Sequence, residues 1–398
     1  MKKTLRDISE TMHRADPTAR FAFEFWDGET LGYGDQPEVL LRLKTKESAQ
    51  QLMANGFLGF AEAYMAGDLE VEGNLQELLR LGYSIEFDQH SLSFWQKMRF
   101  LLHRLGTRNT PSRVPKNISH HYDCGDEFYA LYLDKTMTYS CGYFNSETDS
   151  LEQAQRNKYE HICRKLALQP GEKLVDIGCG WGGMLIYAAQ KYGIKGLGNT
   201  LSPNQCECAK RKIEELGLQN QIDVVLKDYR EITGTFDKFV SIGMFEHVGK
   251  AFIPVFIHKI MKLLKEGGTG LLHTIGKDTE SPGDSWIMKY IFPGYYVPNL
   301  AEIVRRMGQS GLSILDVENL RLHYARTLDH WADSYEKNVE KVRCMFDESF
   351  VRMWRLYLQT CSAGFKYGNS RLYQILFSNG LNNGLPLTRR HLYLDEYH

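Results

Sequence analysis

The chain has 398 residues, 43% of them hydrophobic and 24% charged, with a formal net charge of −1. These are ordinary globular values for a chain of about two to three domains, and they exclude collagen-like, disordered and disulfide-scaffold classes. A near-neutral chain is not steered as a whole onto nucleic acid, so any anionic partner must meet a local patch. No apolar run approaches the roughly 18 residues of a membrane span. The start Met1-Lys2-Lys3-Thr4 is followed by no apolar signal core, so a cytoplasmic protein is expected. Eight cysteines in a chain this long form no framework, and reduced thiols are expected.

Residues 1–90 read as a small α+β domain. The aromatic alternation at 21–26 meets Asp27-Gly28, a strand followed by a turn. Residues 38–43 read as a second strand, and 47–55 and 74–82 as helices. The glycine-bounded, aromatic-rich run 59–68 has no reading by itself. Residues 89–122 contain no acid and carry Lys97, Arg99, Arg104, Arg108, Arg113 and Lys116 among Phe94, Trp95 and Phe100. The first half of that stretch reads as a basic amphipathic helix and the second, with Pro111 and Pro115, as a linker. Two alternatives stay open for it, a solvated face or attachment to an anionic membrane surface. From about 150 onward strands alternate with helices. Strands are expected at 173–177, 194–199, 222–226, 236–242 and 269–275, with helices at 183–192, 202–216 and 251–265. A sixth strand at 313–317, a helical insertion at 326–366 and a late seventh strand at 372–377 complete the pattern. The βαβ repetition predicts a parallel sheet covered by helices on both faces.

The first of these strands runs into Asp176-Ile177-Gly178-Cys179-Gly180-Trp181-Gly182-Gly183. Glycines there let the backbone turn tightly and approach a ligand, and the next helix presents free N–H groups. The spacing is G-x-G-x-G, not the dinucleotide G-x-G-x-x-G. The second strand ends Gly198-Asn199-Thr200-Leu201-Ser202, without the acid that holds a dinucleotide ribose. Asp228 and Tyr229, at the end of the third strand, offer a carboxylate for an adenine amine and a ring for stacking. This set suits S-adenosylmethionine, which needs no phosphate cradle. Asp228 alone also reads as a cap of the next turn.

Several separate motifs resemble the cyclopropane-fatty-acid synthase family. They are M-T-Y-S-C-G-Y-F at 137–144, D-I-G-C-G-W-G-G at 176–183, N-T-L-S-P-N-Q at 199–205 and F-E-H-V-G at 245–249. L-L-H-T-I-G at 271–276, I-F-P-G-Y-Y-V-P at 291–298 and H-Y-A-R-T-L at 323–328 follow in order, and 59–68 resembles the family's N-terminal domain. The resemblance implies a class I S-adenosylmethionine-dependent methyltransferase, Rossmann-like with a seven-stranded sheet. It divides the chain into 1–90, a basic segment and linker at 91–116, and a catalytic domain at 117–398. It implies cofactor contacts at Tyr139, Ser140, Asp176, Gly178, Gly180, Gly182, Thr200, Leu201, Gln205 and Tyr229, with Asp228 beside them.

The implied reaction converts the cis double bond of a phospholipid acyl chain into a cyclopropane through a carbocation. A base must then take a proton from the new methyl group. The resemblance implies bound bicarbonate as that base, held by Cys141, Glu246, His273, Ile275 and Tyr324. Glu246 can accept from its O–H, His273 and Tyr324 can donate to its oxygens, and backbone N–H groups of Ile275 or Cys141 can add to these. Taken singly, Cys141 reads as a small buried hydrophobe, Glu246 as a helix cap, His273 as a core histidine and Tyr324 as a core phenol. Phe292, Tyr295 and Tyr296 are candidate walls for the cation. Glu246-His247 has no third ligand at zinc spacing, so no metal is expected. His120 and His121 match the family pattern without an assignable role. A homodimer and docking on the inner face of the cell membrane are further implications. Two other functions stay open: capture of the same cation as a methyl-branched or methylene product, and non-catalytic lipid binding.

Overall fold

The computed structural model describes residues 1–85, 124–281 and 283–393. The acid-free stretch 89–122, with its lysines and arginines and with His120 and His121, lies outside the described residues. The described residues divide into two compact units. The first comprises 1–85, 284–293 and 328–368, and the second 124–281, 283, 294–327 and 369–393.

The first unit opens with α1 (Lys2–Ala15), which buries Leu5, Ser9 and Met12 on one face. A sheet in the order β2-β1-β3-β4 follows, built from β1 (Phe21–Glu24), β2 (Thr30–Tyr33), β3 (Val39–Leu43) and β4 (Leu69–Gly73). Three helices accompany it, α2 (Lys46–Asn55), α3 (Phe57–Ala66) and α4 (Leu75–Ser84). The unread run 59–68 is therefore helix α3 and its end. The Thr45 side chain caps α2 by accepting from Ser48 N. Helix α3 is apolar around most of its circumference and is stopped by Gly67, at φ +80°. Neither β2 nor β4 was expected, each being only four or five residues long, nor was α1, although its buried Leu5, Ser9 and Met12 stand at helical spacing.

The second unit carries a short helix, α5 (Asp126–Ala130), then α6 (Leu151–Leu166), β5 (Lys173–Ile177), α7 (Gly183–Tyr192), β6 (Lys195–Thr200) and α8 (Pro203–Glu215). Next come β7 (Ile222–Leu226), β8 (Phe236–Ile242), α9 (Ile253–Leu263), β9 (Leu264–Lys277), α10 (Leu300–Gln309), β10 (Leu312–Asn319) and α11 (Arg321–Lys337). After α12 (Val339–Met345) and α13 (Glu348–Lys366), β11 (Ser370–Asn379) closes the sheet. The insertion expected at 326–366 is thus helical, and its residues from 328 fall in the first unit.

The sheet has seven strands in the order β10-β11-β9-β8-β5-β6-β7. Alternate strand residues face opposite layers. Leu174, Val240 and Leu271 pack with α6, α7 and α8, and Val175, Phe239 and Leu272 pack with α9 and α10. The expectation of a parallel sheet needs correction, because β11 runs antiparallel to both β9 and β10. An apolar run encodes burial but not direction, and a long helical excursion can return the chain at either end of a sheet. The register sets Asp176 beside Val240 and Ile242 beside His273, so the ends of β5, β8 and β9 converge. Sites of α/β sheets form at such carboxyl ends.

Candidate active site

A cavity opens at these strand ends. Tyr139, Ser140, Asp176, Gly178, Gly180, Thr200, Leu201, Gln205 and Tyr229 line it, whereas Gly182 and Asp228 do not. Gly178 has φ +81°, and a Cβ there would stand 2.5 Å from Met244 Cγ. Gly180 has φ +55°, and a Cβ there would meet nothing within 4 Å. A side chain at 180 therefore takes ligand space rather than clashing with protein. Asn199 holds the loop in place: Oδ1 accepts from Gly178 N at 3.3 Å and Nδ2 donates to Lys227 O at 2.9 Å. The Thr200 hydroxyl donates to Gln205 Oε1 at 2.7 Å, so the Gln205 amide presents its N–H groups to a ligand. Tyr229 stands edge-on to Phe256 at 5.3 Å. The Asp228 carboxylate is clamped by Arg230 through bonds of 2.7 and 2.6 Å, which holds it below its usual range despite burial. On the other side Trp181 Nε1 donates to Asp126 Oδ1 at 3.1 Å and Tyr129 packs on Tyr139, so α5 covers the glycine loop.

A second cluster lies beside the cavity. Glu246 sits in the turn after β8, where Oε1 accepts from Ile275 N at 2.5 Å. Among the described residues its Oε2 has no partner, and burial pushes the carboxyl up to about 7. Gln374 Nε2 stands 3.2 Å from His273 Nδ1. An amide donor there assigns the ring proton to Nε2, which has no partner among the described residues. Burial keeps this imidazole neutral. Cys141 is fully buried, and burial pushes its thiol far up, so it is no nucleophile. Its neighbour Gly142 donates through N to Thr327 Oγ1 at 2.9 Å, one turn along α11 from Tyr324. The structure thus brings Glu246, Ile275 and His273 together on adjacent strand ends. It ties the Cys141 segment to the part of α11 that carries Tyr324. Lys158 is electrostatically coupled to both Cys141 and His273. None of these five residues lines the cavity, but Ser140 beside Cys141, and Met244 and His247 around Glu246, do.

Residues 109–375 match the family described as mycolic acid cyclopropane synthetase. The chain belongs to that family. Residues 9–91 match a domain of unknown function, DUF7884. The probable fatty acid methyltransferase of Pseudomonas putida is 36% identical, over 93% of this chain and 95% of that protein. The cyclopropane-fatty-acyl-phospholipid synthase of Escherichia coli K12 is 34% identical, over 96% of this chain and 99% of that protein. Among solved structures, mycolic acid cyclopropane synthase CmaA1 complexed with SAH and CTAB is 31% identical with TM-score 0.63, over 66% of this chain and 98% of that one. This synthetase-family member is therefore an S-adenosylmethionine-dependent methyltransferase with the class I fold.

The three aromatic residues named from sequence as candidate walls for the cation lie outside the lining of the glycine-loop cavity. Phe292 belongs to the first unit and stands edge-on to Tyr357 at 6.0 Å. Tyr296 donates its hydroxyl to Glu302 at 2.6 Å, and its ring already faces the Lys250 ammonium at 5.4 Å. Neither they nor Tyr295 line the cavity. The Ile275 N–H, counted as a free donor, is taken by Glu246. Lys158, Tyr159 and Asn199 line the cavity and were not expected. Asn199 had a usable signal, standing where a dinucleotide site carries its acid. Lys158 had none, because a lysine on a helix reads as solvent-facing.

Proposed function

We propose that this enzyme transfers a methylene group from S-adenosylmethionine to the cis double bond of unsaturated acyl chains in membrane phospholipid, forming a cyclopropane ring. The observation that carries this reading is that Glu246 Oε2 and His273 Nε2 are both buried and without a partner among the described residues, with Glu246 accepting from Ile275 N two residues along β9 from His273, at the strand ends that bear the glycine-loop cavity. Buried polar atoms left without partners are costly, and we read these two, on neighbouring strand ends, as ligands of one small polar guest. Their chemistry fits bicarbonate, since a carboxylate oxygen accepts its O–H and an imidazole N–H donates to its oxygen. Bicarbonate held there supplies a base for the proton leaving the new methyl group. Glu246 fixes the orientation, His273 supplies a neutral donor held by Gln374, and the Tyr324 phenol and Cys141 segment close the site. The glycine loop, Tyr139, Ser140, Thr200, Leu201, Gln205 and Tyr229 would hold the cofactor, with Asp176, Gly182 and Asp228 supporting them, and the cofactor would supply the methyl group for the alkene. CmaA1 solved with SAH supports the cofactor assignment, and the E. coli relative's name supports the phospholipid substrate.

The name of the P. putida relative favours a second reading, a methyl- or methylene-branched product. Incubation with S-adenosylmethionine and cis-unsaturated phospholipid vesicles separates the two by mass spectrometry. A gain of one CH2 that resists hydrogenation identifies the cyclopropane, and a gain that takes up hydrogen identifies the methylene branch. No mass gain sinks both readings. Turnover unchanged in bicarbonate-depleted buffer removes the anion base. We extend the proposal to a homodimer in the cytoplasm, docked on the anionic inner face of the membrane through 89–122.

A further inference from the structure

Lys158, on α6, has no exposed surface and still forms part of the cavity wall. Its Nζ donates to Ser140 Oγ at 2.8 Å and lies 4.5 Å from the centroid of the Tyr159 ring. Among the described residues no carboxylate forms an ion pair with it. A buried ammonium without a paired anion is expensive to hold in a folded protein. Asp176 presents the complementary problem on the same wall: it is 1% exposed, and Oδ1 has no partner among the described residues. Burial draws the Lys158 ammonium down and the Asp176 carboxyl up, each away from its charged form. The cavity wall therefore carries a buried amine and a buried carboxyl that attract each other, with Asp134 also acting on Lys158, but among the described residues Lys158 forms no ion pair with a carboxylate.

Hydrogen-bond inventory fixes what Ser140 can do. An ammonium has donors and no acceptor, so Ser140 Oγ must accept from Lys158. The one O–H of Ser140 is then left to donate elsewhere. Gln155 Nε2 donates to Ser140 O at 2.8 Å, which pins the residue from behind. Ser140 is thus a fixed donor with a positive charge directly behind it, the arrangement that suits a carboxylate.

We propose that Lys158 is a positioning residue for the amino-acid end of S-adenosylmethionine: it holds Ser140 as donor to the methionine carboxylate and supplies the countercharge, while Asp176 receives the α-ammonium. This inference rests on the cofactor assignment above. One zwitterion then answers both buried charges, which neither adenine nor the sulfonium can do.

The test compares two ligands by calorimetry. S-adenosylhomocysteine carries the carboxylate and the ammonium, whereas 5′-methylthioadenosine has the same adenosine and a thioether but lacks both. Lys158→Met keeps the volume and removes the charge. It should weaken S-adenosylhomocysteine by about tenfold or more, the weight of a charge-assisted contact, and change methylthioadenosine by less than about twofold. Ser140→Ala should show the same split. The double variant should lose clearly less than the sum of the two single losses, because Lys158 acts in part through Ser140. Wild-type affinity for S-adenosylhomocysteine in Lys158→Met, equal losses for both ligands, or additive losses in the double variant would each overturn the proposal. If Lys158→Met does not fold, Ser140→Ala decides alone, and unchanged S-adenosylhomocysteine affinity refutes the assignment. A wild-type enzyme that binds neither ligand overturns the cofactor reading together with this one.

Discussion

Glu246 shows how a site residue can work against the fold that holds it. Its carboxyl rises from an ordinary 4.5 to about 7 because burial penalises the charged form. The folded state therefore binds this proton more tightly than the unfolded chain does. The stability Glu246 contributes is fully present below about pH 4.5 and is lost as pH rises through 7. Above that, holding the carboxylate costs on the order of 3 kcal/mol. Glu246→Gln should flatten this part of the pH dependence and raise stability at pH 8 by that order, in bicarbonate-free buffer. If Glu246 orients the base as proposed, the same variant should also lower turnover by about a hundredfold or more. Denaturant midpoints across pH, compared with wild type, check the first statement and initial rates the second. A variant less stable than wild type at pH 8 would show that the carboxylate is compensated in the fold.

The glycine loop is the element on which sequence and structure agree most closely. Its strand, glycines and helix stand where the G-x-G-x-G run placed them, because tight turns demand residue types that leave a visible trace. Gly180→Val should abolish binding of S-adenosylhomocysteine in calorimetry, since its side chain enters open cavity at φ +55°. The strain of that backbone should cost the fold only about 1–2 kcal/mol. Undiminished binding by the folded variant would place the cofactor elsewhere. Less was legible where local pattern and tertiary role diverge. Helix α6 buries Gln155, Lys158, His161 and Lys165, a polar stripe that by periodicity alone belongs in water. The direction of β11 was hidden for a different reason, since pairing partners are chosen by topology and not by composition. The motif match put Glu246 and His273 forward together, but their unmet hydrogen bonds are a property of packing that no sequence states.

At the scale of the whole molecule, the proposed reaction requires the enzyme to reach an alkene buried in a bilayer. Among the described residues no helix is long and apolar enough to cross a membrane. The acid-free stretch 89–122 is proposed to do the docking, each basic residue near an anionic leaflet contributing about 1 kcal/mol. Replacing Lys97, Arg99, Arg104 and Arg108 with Gln should weaken co-sedimentation with anionic vesicles, make the residue of binding less salt-sensitive and leave cofactor affinity unchanged. Undiminished co-sedimentation at low salt would put the docking surface elsewhere. Light scattering that finds a fully active monomer at micromolar concentration would likewise remove the homodimer. The antiparallel strand has a consequence in time. β11 lies between β9 and β10 and carries Gln374, the residue that orients His273. A ribosome delivers it after both of its neighbours, β9 and β10, so until it emerges the sheet has an open slot between them and His273 lacks its partner. A nascent chain halted before residue 370 should expose two unpaired strand edges and leave His273 without Gln374, and limited proteolysis of the halted chain should cut there more readily than in the full chain.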